Sequence, residues 1–311
     1  MHAAELLHDL VANRTWERAN APYRLLRVHG PDAGEFLHRL CTQDVLGLGE
    51  GQGKPAAFLD AKGKLLATCL VFRLGGAFWL ESHAEQVDRL AALLERYHFT
   101  EKLTIERPAL AADHEWAELA ANTTPGNRAT PDRTPLVHFV RRGIAFTRSY
   151  QEGVTCLTMT EGRAVPQLPM TAETAECLRL LAGFLRVGVE TEATTLALEA
   201  DLDDHISTTK GCYTGQEIVA RIHSYGHTNR KACLLYLGPG SPITAAQPLH
   251  EPEDKLAVGR VLHAVPIPGR DARLGVGYLP KDFQALGTKL VLADGAVVEV
   301  IGYEPLAGLP A

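Results

Sequence analysis

Residues 205–231 read HISTTKGCYTGQEIVARIHSYGHTNRK, and the rest of the chain is organised around them. Thr214-Gly215-Gln216-Glu217 has the form of a capping box, in which hydroxyl and carboxylate each take an otherwise free backbone N–H. The pattern predicts a helix that begins at Gly215, aligns Ile218, Val219, Ile222 and Tyr225 on one packed face, and stops at Gly226. Cys212 stands just ahead of that helix, close to Lys210. The free N–H groups of a first turn, the helix dipole and a nearby cation all favour thiolate over thiol. Cys212 is therefore the candidate reactive thiol and Lys210 its cationic neighbour, on a loop that Gly211 and Gly215 keep uncrowded. The alternative is a small hydrophobe buried in a tight loop, the common fate of a free cysteine.

Working outward, 311 residues exceed an average single core, so two or three domains are expected. Hydrophobic residues at 46% and charged ones at 22% describe a soluble globular chain. A net charge of -6 argues against a general nucleic-acid-binding surface, so no direct nucleic-acid partner is expected. The apolar runs are far shorter than a membrane span, and the start lacks the basic and apolar regions of a secretory signal. The six cysteines, at 41, 69, 156, 177, 212 and 233, form no CxxC pair and sit in apolar surroundings. Reduced thiols in the cytoplasm fit this better than a disulfide framework.

The N-terminal part reads as α+β. A short helix near Glu5–Val11 precedes a strand at Tyr23–His29, a helix opened by Pro31, strands at Pro55–Leu59, Lys64–Arg73 and Ala77–Glu81, and a second capping box at Ser82–Glu85. Lys64–Arg73 is apolar on both faces, which predicts a central strand. This order suggests an antiparallel sheet with helices on one face. Residues 121–135 are proline-rich and aperiodic, hence a loop or linker; His138–Thr147 and Thr155–Met159 read as strands and Ala172–Arg186 as a helix. Beyond Lys231, about five short β-type runs broken by glycine and proline, with Asp294-Gly295 as a hairpin signal, predict an all-β barrel or sandwich.

Lys210-Gly211-Cys212-Tyr213-Thr214-Gly215-Gln216-Glu217 resembles the KGC[YF]xGQE signature of YgfZ-type folate-binding proteins, in the superfamily of the glycine-cleavage T-protein. The likeness continues through Leu26–Ala33, Leu40–Val45, Asp60–Lys64 and Leu274–Pro280, nearly the whole chain. The resemblance implies a three-lobed fold with an antiparallel C-terminal β-barrel. It divides the chain into a folate-binding body, 1–230, with lobes over 1–112 and 113–230, and a barrel over 231–311. It also implies a tetrahydrofolate-dependent accessory factor for iron–sulfur client enzymes, including tRNA-modifying ones, with tetrahydrofolate or a one-carbon derivative as cofactor.

Leu198-Glu199-Ala200-Asp201-Leu202 is similar to the superfamily stretch whose glutamate binds the pterin, so the resemblance gives Glu199 that role. A carboxylate suits it, because it accepts from two adjacent donors at once. Arg230 matches the basic run before the barrel and is a candidate partner of the folate glutamate tail, with structural pairing as its alternative; Arg221 is a further candidate. The aminomethyltransferases carry an acidic pair where this chain has Ala67 and Thr68, which puts one-carbon transfer in doubt. Asp60 stands near enough to substitute, although an aspartate before Lys62-Gly63 also suits a turn. A folate-dependent aminomethyltransferase and a metal- or thiol-redox protein are the other readings. The second draws on His223 and His227, an i, i+4 pair with His205 and Cys212 close in sequence, but Gly226 falls between those two histidines.

Overall fold

The computed structural model describes Leu6 and residues 23–108, 111–114, 136–141, 144–149, 156–157, 172–254 and 256–302. Its first strand, β1 (Tyr23–His29), leads into α1 (Ala33–Leu40), which buries Ala33, Phe36 and Leu37. Strands β2 (Gly53–Leu59), β3 (Leu65–Leu74) and β4 (Ala77–His83) follow, the last two joined through Gly75 and Gly76, both at positive φ. Helix α2 (Ala84–Tyr97) buries Val87, Leu90, Ala91 and Leu94 at helical spacing. Next come β5 (Thr104–Glu106), β6 (Ala111–His114), the hairpin β7 (Leu136–Arg141) and β8 (Ile144–Ser149), and β9 (Cys156–Leu157). One sheet runs β2-β3-β4-β1-β6-β9, antiparallel except for the β6–β9 pair, with β5 also on β1.

Alternation along the strands sends residues to two cores. On one face Leu26, Val28, Phe58, Val71 and Leu80 pack under α1 and α2. On the other, Leu25, Leu65, Leu70 and Phe72 meet Leu180 and Leu181 of α3 (Ala172–Leu181) and Leu234, Leu274 and Tyr278 of the C-terminal barrel. Strand β3 is thus covered on both sides, as its apolar run predicts. Body and barrel share a core.

The barrel closes in the order β10-β13-β12-β11-β14-β15, from β10 (Arg230–Leu237), β11 (Gln247–His250), β12 (Ala257–Pro266), β13 (Arg273–Pro280), β14 (Lys289–Val291) and β15 (Val297–Val300). Closure removes the unpaired edges an open sheet would expose. The sixth strand, β11, is the one the sequence hides: Gln247-Pro248-Leu249-His250 is short, polar and interrupted by proline. Asp294-Gly295 makes the expected turn, with Gly295 at φ 84 between β14 and β15.

Several expectations need correction. Helix α4 spans Gln216–Tyr225, one residue later than predicted, because Gly215 takes a left-handed φ of 82 as its N-cap. Thr214 then lies outside the cap, and neither capping box forms. At α2 the N-cap is His83, while the Ser82 hydroxyl crosses to the Thr68 carbonyl at 2.9 Å. Tyr225 is 67% exposed rather than packed, with Arg221 over its ring. Helix α3 stops at Leu181, ahead of Gly183 at φ 71 and short of Arg186. The run His138–Thr147 divides between the two strands of a hairpin. The predicted linker at 121–135, and Glu5–Val11 apart from buried Leu6, lie outside the described residues.

Candidate functional site

Three segments fix the loop that carries Cys212. The first is Cys41–Asp44: the Thr42 hydroxyl donates to the His205 carbonyl at 2.6 Å and accepts from the Ala57 N–H, and Ser207 N–H returns to the Thr42 carbonyl. Gln43 joins in, donating to the carbonyls of Pro55 and Asp204. The second is Lys210, whose ammonium donates to the carbonyls of His38, Cys41 (2.7 Å) and Gln43 (3.1 Å). These carbonyls lie at the C-terminal end of α1, where a cation is favoured. The third is the turn at Asp60–Lys64, in which Asp60 Oδ1 accepts from the N–H groups of Lys62 and Lys64 at 2.8 Å each. A Cβ on Gly215 would come 2.6 Å from the Asp60 carbonyl oxygen, and one on Gly63 would come 2.8 Å from Ile218. Only glycine permits that approach.

Cys212 is exposed, whereas Cys41, Cys69, Cys177 and Cys233 are buried. Burial pushes the thiols of Cys177 and Cys233 up to about 12 and raises those of Cys41 and Cys69 as well, which suppresses their thiolates. Lys210 is half-buried and stacks on Tyr213 at 5.1 Å; burial lowers its pKa. Its charge goes to the three carbonyls, so it positions the loop. Asp60 is turn chemistry here, as its Oδ1 contacts show.

Glu199 and Arg230 are brought together, and each is the other's partner. Glu199 Oε1 lies 3.3 Å from Arg230 Nε, while Oε2 accepts from Arg230 Nη2 at 3.3 Å and from the Leu196 N–H at 3.1 Å. Arg230 also donates to Glu192 at 2.7 Å and lies over the Tyr278 ring, and Glu192 holds Arg260 at 2.7 Å. Burial would lower the Arg230 pKa, but the two carboxylates raise it. Arg221, by contrast, is on the exposed side of α4. His223 and His227 are exposed too, with Gly226 ending the helix between them. No group of three or more histidine, cysteine or acidic side chains suited to a metal occurs among the described residues.

A cleft that the sequence did not announce lies where β3 and β4 meet α2, α3 and residues 184–186. It encloses about 30 Å³ and is lined by Thr68, His83, Gln86, Arg179, Arg186 and His205 among others. Its far wall is a buried ion cluster. Glu190, fully buried, accepts from Arg179 at 2.8 Å and from Arg186 at 2.7 Å, and Glu176 takes Arg179 at 2.9 Å. Burial pushes the Glu190 carboxyl up, but Arg179 and Arg186 overcome this and hold it at about 2. Two arginines and two carboxylates balance. His83 is pushed down to about 4, by burial first and by Arg186 and Arg179 next, so its ring is neutral at pH 7. Gln86 is 5% exposed, and neither atom of its amide has a hydrogen-bond partner. The sequence signal was available: Gln86 sits on the inward stripe of α2, four residues before Leu90, where an apolar side chain is expected.

No protein-family model matches the chain. A tRNA-modifying protein YgfZ of Cronobacter sakazakii is 26% identical over 315 residues, covering 91% of this chain and 90% of that protein. An iron-sulfur cluster assembly factor IBA57 homolog, mitochondrial, of Pyricularia oryzae is 28% identical over 232 residues, 68% of this chain but only 56% of the relative. Among solved structures, the glycine cleavage system aminomethyltransferase T of Bartonella henselae matches with a TM-score of 0.65 at 17% identity, over 96% of this chain and 89% of that one. The chain is similar to YgfZ proteins over most of its length and has a T-protein-like fold. Thr68 stands where the resemblance sets one of the acidic pair of the transferases, and its hydroxyl already donates to the Leu185 carbonyl at 3.1 Å. Ala67 beside it is buried and offers no polar group.

Proposed function

We propose that this chain is a tetrahydrofolate-binding accessory protein that supports assembly or repair of iron–sulfur enzymes, tRNA-modifying ones among them, through the Cys212 thiol. The observation that carries the reading is the exposed thiol of Cys212 on a loop fixed from three sides, while the other cysteines with described side chains are buried. An over-determined loop costs little to keep ordered when a partner docks, so the thiol is presented without further folding.

The residues present suit a folate. A carboxylate has room for about four hydrogen bonds, and Glu199 engages three donors, so it accepts one donor of a pterin's N–H edge as it stands and both once the 3.3 Å contact with Arg230 Nε gives way. Arg221, on the exposed side of α4, is a cation for the carboxylates of a glutamate tail, whereas Arg230, held against Glu199 and Glu192, positions Glu199. The unpartnered amide of Gln86 is an orphaned buried polar group of the kind a ligand satisfies. A bound folate would supply a carrier for a one-carbon unit. The chain's own part is to orient it and to hold Cys212 at the surface. The transferase alternative is disfavoured by Thr68, whose hydroxyl is engaged on a carbonyl and whose neighbour Ala67 has no proton to give or take.

The test is Cys212→Ala in cells lacking the native protein, read as the activity of an iron–sulfur enzyme, beside folate affinity and thermal unfolding of the purified variant. Support should be lost with folding and affinity unchanged. Full support by the alanine variant would refute the thiol's role.

A further inference from the structure

Large apolar side chains exposed singly are ordinary on a protein surface, so their position decides what they mean. Among the described residues six stand exposed. Leu256, Leu286 and Val297 belong to the barrel region, Tyr225 ends α4, and Leu46 and Phe99 lie beside α1. Phe99 is the most exposed of them at 79%, yet its backbone is held. Its N–H and that of Thr100 both donate to Glu101 Oε2 at 3.1 Å, and Arg39 of α1 donates to the other oxygen of that carboxylate at 2.7 Å. The Lys102 N–H donates at 2.6 Å to Asp32, the N-cap of α1, and the His98 ring meets Phe36 of α1 edge-on. A solvated aromatic side chain on a loop this constrained has little backbone freedom to lose when a partner covers it. Leu46, 43% exposed, lies over the first turn of the same helix, where a Cβ on Gly34 would come 3.1 Å from its Cδ2.

The other end of α1 is the one Lys210 grips, through the carbonyls of His38 and Cys41, so the thiol loop and the Phe99 loop share one brace. That brace is eight residues long, about 12 Å, whereas a standard interface covers about 800 Å² on each partner, a patch about 30 Å across. Cys212, Leu46 and Phe99 fall within the reach of one such partner. The two cations that tie the loops to α1 are already engaged, Arg39 by Glu101 and Lys210 by main-chain oxygens, so neither is offered to a phosphate. An aromatic and an aliphatic side chain beside spent charges suit a protein rather than a nucleic acid. A second copy of this chain seated here would cover the thiol that the proposed function needs open. Resting on that proposed function, we infer that Phe99, seconded by Leu46, is the apolar anchor by which an iron–sulfur client protein docks over α1 and is brought to Cys212. The client then supplies an apolar pocket for one aromatic ring, whose burial removes on the order of 150 Å² from water.

The experiment measures anaerobic binding of the full chain to the purified apo form of the iron–sulfur enzyme assayed for Cys212→Ala, together with support of that enzyme in cells lacking the native protein. Phe99→Ser should weaken binding by about tenfold to a hundredfold and lower support in step, while Leu46→Asn should weaken it by a few fold. Leu256→Ser, which removes a comparably exposed side chain from the barrel region, should bind and support as wild type does. Cys212→Ala should still dock but give no support. Alkylation of Cys212 by iodoacetamide at the wild-type rate in Phe99→Ser shows that the thiol loop is unchanged, and Phe99→Gln carries the same expectation if the serine variant is recovered unfolded. Wild-type binding and support by the Phe99 variants, with Cys212→Ala inactive, overturns this inference and leaves the proposed function standing. Full support by Cys212→Ala overturns the proposed function and the inference with it. A wild type that does not bind the enzyme, or one that sediments as a dimer which Phe99→Ser converts to a monomer, overturns the inference as well, the second result assigning the face to another copy of the chain.

Discussion

Glu190→Gln tests the physical account of the cleft wall. The substitution keeps the shape of the side chain but removes its charge and turns an NH2 group towards two guanidinium groups that can only donate. In the native protein the carboxylate is fully buried and accepts from Arg179 at 2.8 Å, from Arg186 Nη2 at 2.7 Å and from the Arg186 backbone N–H at 2.6 Å. Burial opposes ionisation, yet the carboxyl is held at about 2, down from 4.5. That difference corresponds to about 3 kcal/mol in favour of the folded, ionised state, and leaving two buried guanidinium groups with Glu176 as their one carboxylate gives a figure of the same order, about 3–5 kcal/mol at most. Urea unfolding at pH 7 should show the variant destabilised by that amount. Since the folded pKa lies below the unfolded one, the stabilisation is complete above 4.5 and is lost as the pH falls through about 2, so wild type and variant should converge on acidification. A loss at pH 7 under about 1 kcal/mol would refute the reasoning and mean that water or relaxation compensates the two arginines.

Two further outcomes follow from the same geometry. Because His83 is held at about 4 when folded, against an ordinary 6.5, the unfolded chain takes up a proton that the folded one refuses; stability should decline as the pH drops from 6.5 towards 4. His83→Gln should flatten that decline in denaturation midpoints at pH 7 and 5, and an unchanged slope would remove His83 as its source. Gly215→Ala should destabilise by about 1–3 kcal/mol in thermal or urea unfolding, because its positive φ and its approach to the Asp60 carbonyl both exclude a Cβ; a neutral outcome would mean the loop can shift.

The sequence was most informative where a local pattern and a packed face agree. β1 runs over Tyr23–His29 as predicted, and β3 is apolar on both faces because it has a helix layer on one side and the barrel on the other. Capping was less legible. Two S/T-x-x-E patterns were present, but in one Ser82 found a carbonyl across the sheet, and in the other Gly215 moved the cap past Thr214. Those outcomes depend on chain segments distant in sequence. Cys212 and its loop were readable from local chemistry, whereas the destination of the Lys210 ammonium, at carbonyls some 170 residues earlier, was not. The pairing of Glu199 with Arg230 is long-range in the same way. Gln86 left a trace in the pattern, a polar residue on an inward stripe, that only the surrounding cleft makes meaningful.

The grip of Lys210 has a consequence for how this surface tolerates change. Its three acceptors are main-chain oxygens of His38, Cys41 and Gln43, and a main-chain oxygen is present whatever side chain the residue bears. The contact reads the path of the backbone rather than its lettering. Substitutions at His38 or Cys41 that keep that path leave the loop seated, while position 210 itself needs a long side chain ending in a cation. For this contact taken alone, tolerance is lopsided: broad at residues that lend only a carbonyl, narrow at position 210, while Thr42 and Gln43 are constrained separately by their side-chain bonds.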